Sequence, residues 1–173
     1  MADIDGECHL IAYYGNEENV VVPSEVKVIR SRAFYDNDKM KSVTIPNGVR
    51  VIEDMVFSET DSLETVIMSD SVEEIGEKAF EWSSVKNIKF GKGIKKIGSE
   101  AFCEVHNIES IIIPESVAFL GKNTFLRSSI SEIIFEGLNG WSAGEKGITP
   151  EELKDFETVI SLLRENDLIC KSE

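Results

Sequence analysis

The fold class predicted for this chain is a solenoid of short β-strands, turns and loops, five repeats of 22–23 residues long and closed by a carboxyl-terminal helix. Three observations carry the prediction. Phe34, Phe57, Phe80, Phe102 and Phe125 recur at separations of 23, 23, 22 and 23 residues. Five further apolar columns keep step with them, two examples being Ile29, Ile52, Ile75, Ile97, Leu120 and Val43, Val66, Ile88, Ile111, Ile133. The one-residue change in period falls in a single place, between each Phe and the next apolar cluster, where the spacing runs six, six, five, six, five. Self-similarity at this period marks units that cannot bury their apolar faces alone and must stack.

Each unit contains one clear strand. Val43-Thr44-Ile45, Val66-Ile67-Met68, Ile88-Lys89-Phe90, Ile111-Ile112-Ile113 and Ile133-Ile134-Phe135 alternate with period two, so their middle residues point away from the core. Pro46 and Pro114 stand directly after two of these strands, where a missing N–H ends pairing at little expense. Neighbouring strands about 4.8 Å apart make a five-strand sheet roughly 20–25 Å wide. The segment after each Phe tolerates an insertion and is polar, as in Asp36-Asn37-Asp38-Lys39, which places it in a surface loop.

The ends differ from the middle. Residues 1–22 are expected to form an opening half-repeat or cap, and residues 23–136 the five repeats. Residues 137–149, with Gly137, Gly140, Gly144 and Gly147 around Trp141, are expected to be a linker. Thr149-Pro150-Glu151-Glu152 has the residues of an N-cap, a first-turn proline and a capping box, so 150–173 is expected to be an amphipathic helix. Its apolar side, Leu153, Phe156, Val159, Ile160 and Leu163, either covers the last repeat or binds a partner as a detachable element.

Composition removes several functions. With 18 Lys+Arg against 32 Asp+Glu, a formal net charge of −14, the chain repels phosphates, and Lys92, Lys95 and Lys96 are too interrupted to make a basic patch. Nucleic acid and anionic membrane are disfavoured partners. No apolar run reaches the roughly 20 residues of a membrane span. Met1-Ala2-Asp3-Ile4-Asp5-Gly6 lacks the plan of a signal peptide, so the expected location is cytoplasmic; a surface or secreted location is the alternative if a leader has been removed. Cys8, Cys103 and Cys170 are odd in number and widely spaced, which fits reduced thiols better than a disulfide framework or zinc site.

The chain offers little to catalysis. His9 lies in the opening segment and His106 in the loop of the fourth repeat, so no catalytic, cofactor or metal residue is assigned. Gly93-Ile94-Lys95-Lys96-Ile97-Gly98-Ser99 lacks the lysine after the second glycine that a phosphate loop needs. Asp3-Ile4-Asp5-Gly6 has no downstream calcium-ligand pattern. Cys103 is expected to be partly buried and inert, with no His or basic residue placed to lower its pKa.

The unit P-x-x-V-x-x-I-x-x-x-A-F-x(5,6)-L-x-x-V-x-I resembles the BspA-like leucine-rich repeats, leucine-rich repeat type 5, of bacterial surface proteins. Ser71-Val72-Glu73-Glu74-Ile75-Gly76-Glu77-Lys78-Ala79-Phe80 matches it closely, as does Gly93-Ile94-Lys95-Lys96-Ile97-Gly98-Ser99-Glu100-Ala101-Phe102, and the resemblance covers residues 20–136. It implies a right-handed leucine-rich-repeat solenoid and, for surface-exposed members, adhesion to host or partner proteins. It implies no catalytic activity.

The outward strand face is the candidate partner site. One ladder is Thr44, Ile67, Lys89, Ile112 and Ile134; the other contains Thr65, Asn87 and Ser110 between Ser42 and Glu132. Three isoleucines on a wet face form either an interaction patch or a set of β-branched residues that stabilise the sheet by cross-strand contact. Trp82 is either a binding anchor or a ring folded over the neighbouring repeat. The expected function is non-enzymatic protein binding across this face. The alternative is a structural or self-associating spacer with contacts through an end cap or strand edge.

Overall fold

The computed structural model describes residues 1–4 and 6–171. Its chain winds into about six coils, and each coil adds strands to two sides, one a single sheet and the other a four-stranded and a two-stranded sheet. On one side, β1 (Ala2–Ile4) pairs with β2 (Glu7–Leu10), followed by β4 (Val26–Ile29), β6 (Val51–Ile52), β8 (Glu74–Ile75), β10 (Lys96–Ile97) and β12 (Phe119–Leu120). On the other lie β3 (Asn19–Val21), β5 (Ser42–Ile45), β7 (Thr65–Met68) and β9 (Asn87–Lys89), then β11 (Ser110–Ile113) and β13 (Glu132–Phe135). Strands of successive coils pair in parallel, so Val43 sits opposite Val66 and Ile111 opposite Ile133. The period of the sequence is therefore the pitch of the coil.

The phenylalanines fill the axis. Phe34, Phe57, Phe80 and Phe102 are fully buried, and their rings stack at centroid separations of 5.2, 5.1 and 5.2 Å. Around them Ile52, Ile75, Leu63 and Val66 of the predicted columns leave no exposed surface. Burying side chains of this size contributes roughly 1.5–3 kcal/mol each, and this stack is the main source of stability.

The third side of each coil is a turn with an unusual backbone. Arg32, Met55, Lys78, Glu100 and Asn123 form one column of left-handed residues, and Asp36, Glu59, Trp82, Glu104 and Arg127 a second, with φ between +54° and +61°. None is glycine, so each carries a penalty of about 1–2 kcal/mol. The conformation aims three N–H groups per coil at the next: Met55, Phe57 and Glu59 donate to the carbonyls of Glu77, Ala79 and Glu81. Those inter-coil bonds offset the strain and lock the stacking.

Three expectations for the ends are corrected. The opening segment is a full coil rather than a half-repeat, because Leu10 pairs opposite Ile29 and Tyr13 packs against Phe34 at 5.0 Å with the rings tilted by 40°, an aromatic ring in the phenylalanine column. Residues 137–149 are not a plain linker: β14 (Trp141–Ala143) and β15 (Lys146–Gly147) form a hairpin, stabilised because Trp141 buries its ring edge-on to Phe135. Residues 150–173 are not one helix. The N-cap and capping box of Thr149 and Glu152 begin α1 (Pro150–Lys154), Asp155 breaks it and caps α2 (Phe156–Glu165), and β16 (Leu168–Cys170) follows. Ser172 and Glu173 lie outside the described residues.

This end substitutes for the coil that would have come next. Strand β16 pairs with β12 in antiparallel sense and with β14, extending the sheet. The Leu163 carbonyl at the end of α2 accepts the Asn123 N–H, where the next coil's carbonyl would stand, and the Asp167 carboxylate accepts the Lys122 N–H. Leu153, Val159 and Leu163 turn inward and are buried. Among the described residues no helix is long and apolar enough to cross a membrane.

Candidate functional site

The outward faces of β3, β5, β7, β9, β11 and β13 make one surface. Val43, Val66 and Ile111 are buried, so the residues between and beside them must face water. Thr44, Ile67 and Lys89 lie in register across three strands, as do Ile112 and Ile134 across two. Thr65 pairs opposite Asn87, and Ser110 opposite Glu132, along the polar ladder. All eight strand residues singled out from the sequence thus share one face. Ile67, Ile112 and Ile134 remain 41%, 52% and 42% exposed, so cross-strand packing does not bury them.

The apolar ladder begins one coil earlier than the sequence reading had it. Val21 pairs opposite Thr44 and is 68% exposed. Counting back one 23-residue period from Thr44 finds it; the opening segment's irregular ring spacing hid it.

Trp82 does not join this surface. It occupies the left-handed column of the turn side, half exposed, with its ring edge-on to His106 at 6.3 Å. The ring leans on the next coil and still presents a face to water.

The face is interrupted once. Every neighbouring pair of strands on it is hydrogen-bonded except β9 and β11, although the same two coils remain joined on the opposite side through β10 and β12. Elsewhere the carbonyl of Glu18, Lys41, Glu64 or Glu109 accepts two consecutive N–H groups from the next coil; Lys86 receives neither Glu109 nor Ser110. Here alone a coil with the longer loop follows one with the shorter, Phe102 to Ile108 after Phe80 to Val85. The opening is a cleft of about 470 Å³, lined by Lys86, Asn87 and Ile88 on one wall and Asn107 to Ile112 on the other. Ile88 and Phe90, whose counterparts in neighbouring coils are buried, are only partly covered.

Along the edge of this face, charges alternate by coil: Glu18, Lys41, Glu64, Lys86, Glu109. Lys41 meets Glu18 at 2.8 Å and Lys86 meets Glu64 at 2.9 Å. Exposed pairs of this kind contribute about 0–1 kcal/mol each, so their main effect is on register. Each lysine is engaged with the glutamate of the coil before it, so Lys86 makes no pair with Glu109, just as Lys41 makes none with Glu64.

One cluster lay outside the sequence reading. Glu81, Glu100 and Cys103 bring ligand atoms within 4.8 Å of one another, as a metal site would. The Lys78 ammonium already sits among them, 3.4 Å from Glu81 and 3.2 Å from Glu100, and supplies the positive charge. A basic residue therefore does stand near Cys103, contrary to expectation. Burial and the surrounding carboxylates outweigh it and push the thiol up to about 11. Cys8, Cys103 and Cys170 are all free thiols. His9 is buried in β2 with Nδ1 unpartnered, and His106 stands in a different coil beside Glu104 at 3.4 Å, so the two histidines form no common site.

These features define a leucine-rich-repeat solenoid with a continuous ring-stacked core and one open strand face. Residues 11–138 match six copies of the BspA type leucine rich repeat region, and the chain belongs to that family. The six copies agree with the six coils. The fold is similar to the T. pallidum leucine rich repeat protein TpLRR, with a TM-score of 0.69 and 25% identity over 72% of this chain and 62% of that one. It is also similar to the pneumococcal vaccine antigen PcpA, with a TM-score of 0.68 and 27% identity over 78% of this chain and 37% of that one. A leucine rich cell surface protein from Faecalibacterium prausnitzii shares the fold alone, at TM-score 0.55 and 18% identity over 84% and 54% of the two chains. The chain thus spans less than two thirds of each. No curated protein matches the sequence at a significant level. Leucine-rich-repeat proteins are in general protein-interaction modules, typically scaffolds without enzymatic activity.

Proposed function

We propose that this chain is a non-enzymatic protein-binding module that engages a partner protein across the strand face. Ile67, Ile112 and Ile134, with Val21, are the apolar anchors; Thr44 and Lys89 complete that ladder, and Thr65, Asn87 and Ser110 form its polar border. The observation that supports this reading is the exposure of the isoleucines on a rigid sheet. Burying such a stripe is favourable by about 25 cal/mol per Å² of apolar surface, and the backbone beneath it is ordered before the partner arrives, which limits the entropic loss.

The test is a capture experiment from source cells with the native chain and the Ile112→Glu variant. Ile112 points outward, so the variant is expected to keep the native circular dichroism and thermal midpoint while losing the captured protein. A folded Ile112→Glu chain that captures the same protein with undiminished yield removes this face from the interaction.

A further inference from the structure

We infer that the cleft between β9 and β11 accepts an extended, basic segment of a partner protein, which adds as a strand to the free edge of β11. This rests on the protein-binding reading above and names the class of partner. Three independent features of the cleft point to that occupant.

First, the backbone edge is prepared and unused. In the other coils the N–H groups corresponding to Glu109 and Ser110 donate to a carbonyl of the preceding strand, as Glu64 and Thr65 do to Lys41. Those of Glu109 and Ser110 have no such partner, while the opposite edge of β11 is fully paired to β13 over Ser110–Ile113. A strand with one edge paired and one edge open is a template for an added strand, which supplies carbonyls to the waiting N–H groups.

Second, the cleft opens onto the core. Ile88, which lines the cleft, is only partly covered where Val66 one coil earlier is buried. Alternate side chains of an added strand point to opposite faces, so one apolar side chain of the segment reaches Ile88 while its neighbours lie over Ile112 on the outer face.

Third, the charge is complementary to a base. Glu109 continues the alternating column, yet its carboxylate makes no ion pair among the described residues, because Lys86 is engaged with Glu64 and the following coil carries Ser131 where a lysine would stand. A lysine or arginine of the incoming segment pairs with that carboxylate. The net charge of −14 favours the approach of such a segment over an acidic one.

The probe is a fluorescein-labelled octapeptide of alternating valine and lysine, titrated into the full chain by anisotropy and followed by amide hydrogen exchange. The expected result is saturable binding with slowed exchange at Glu109 to Ile112. A version N-methylated along the edge that faces β11, a version with glutamate in place of lysine, and the Glu109→Gln chain should each bind at least about tenfold more weakly. Glu109 is exposed and unpaired, so Glu109→Gln should fold as the native chain does. Equal binding by the N-methylated peptide, protection elsewhere than β9 and β11, or no binding of any peptide overturns the strand-addition proposal. If Ile112→Glu still abolishes partner capture in that event, the strand-face reading stands without the cleft; if capture survives, both fall.

Discussion

The rings of Phe80 and Phe102 lie parallel to within 2° at a centroid separation of 5.2 Å, although the residues are 22 positions apart and belong to different coils. Each ring is the floor for the next, so one truncation unseats two contacts. Phe80→Ala is expected to lower unfolding free energy by roughly 3–5 kcal/mol in urea denaturation. Asp38→Ala, at an exposed loop position, should change it by less than about 0.5 kcal/mol. Equal effects would mean that the register of the coils is wrong.

Gly98 presses against the coil beneath it. A Cβ there would stand 2.6 Å from the backbone carbon of Gly76 and 2.7 Å from the nitrogen of Glu77. Both are backbone atoms that cannot rotate away. Gly98→Ala should therefore destabilise the chain by about 1–3 kcal/mol in thermal or urea unfolding, whereas Gly147→Ala, with nothing within 4 Å, should be close to neutral.

Cys103 should resist alkylation. Burial, aided by Glu100, Glu81 and Glu104, holds its thiol up at about 11, so little thiolate exists at pH 8 and little of it is reachable. Iodoacetamide followed by mass spectrometry should leave Cys103 unmodified in the folded chain and modify it in urea. The folded thiol keeps its proton above the ordinary value of 9.0, so its share of stability is lost as pH rises from about 9 toward 11.

The carboxyl-terminal cap should loosen in acid. Its hydrogen bond with Lys146, followed by those with the Thr149 backbone and hydroxyl, holds the Glu152 carboxyl down at about 2, from an ordinary 4.5. A depressed carboxyl stabilises the fold above its unfolded pKa, and that contribution disappears as pH falls from about 4.5 to about 2. The thermal midpoint of Glu152→Gln should lie below that of the native chain at neutral pH, and the gap should close across this window. A gap independent of pH would assign the effect to something other than the charge.

Much of this architecture is legible in residue spacing because stacking imposes one repeat distance on every buried column. The outward isoleucines are legible for the same reason, since Val66 and Met68 inside require Ile67 outside. The departures are places where another residue serves the same physical purpose. Tyr13 replaces a phenylalanine, and the Leu163 carbonyl replaces that of a further coil. Leu168-Ile169-Cys170 continues the apolar content of the helix before it and becomes a strand because the free edge of β12 needs a partner. The break between β9 and β11 leaves no mark on the apolar columns, because Ile88 and Ile111 keep their places in them. Only the step in loop length hints at it.

On the proposed reading the strand face, and not the turn side, meets the partner. The most direct measurement is the methyl spectrum of the chain carrying labelled isoleucine δ1 groups, recorded with and without the captured partner. The signals of Ile67, Ile112 and Ile134 should shift or broaden, while those of the buried Ile52, Ile75 and Ile97 stay in place. A formed complex in which Ile67, Ile112 and Ile134 are unmoved contradicts the claim.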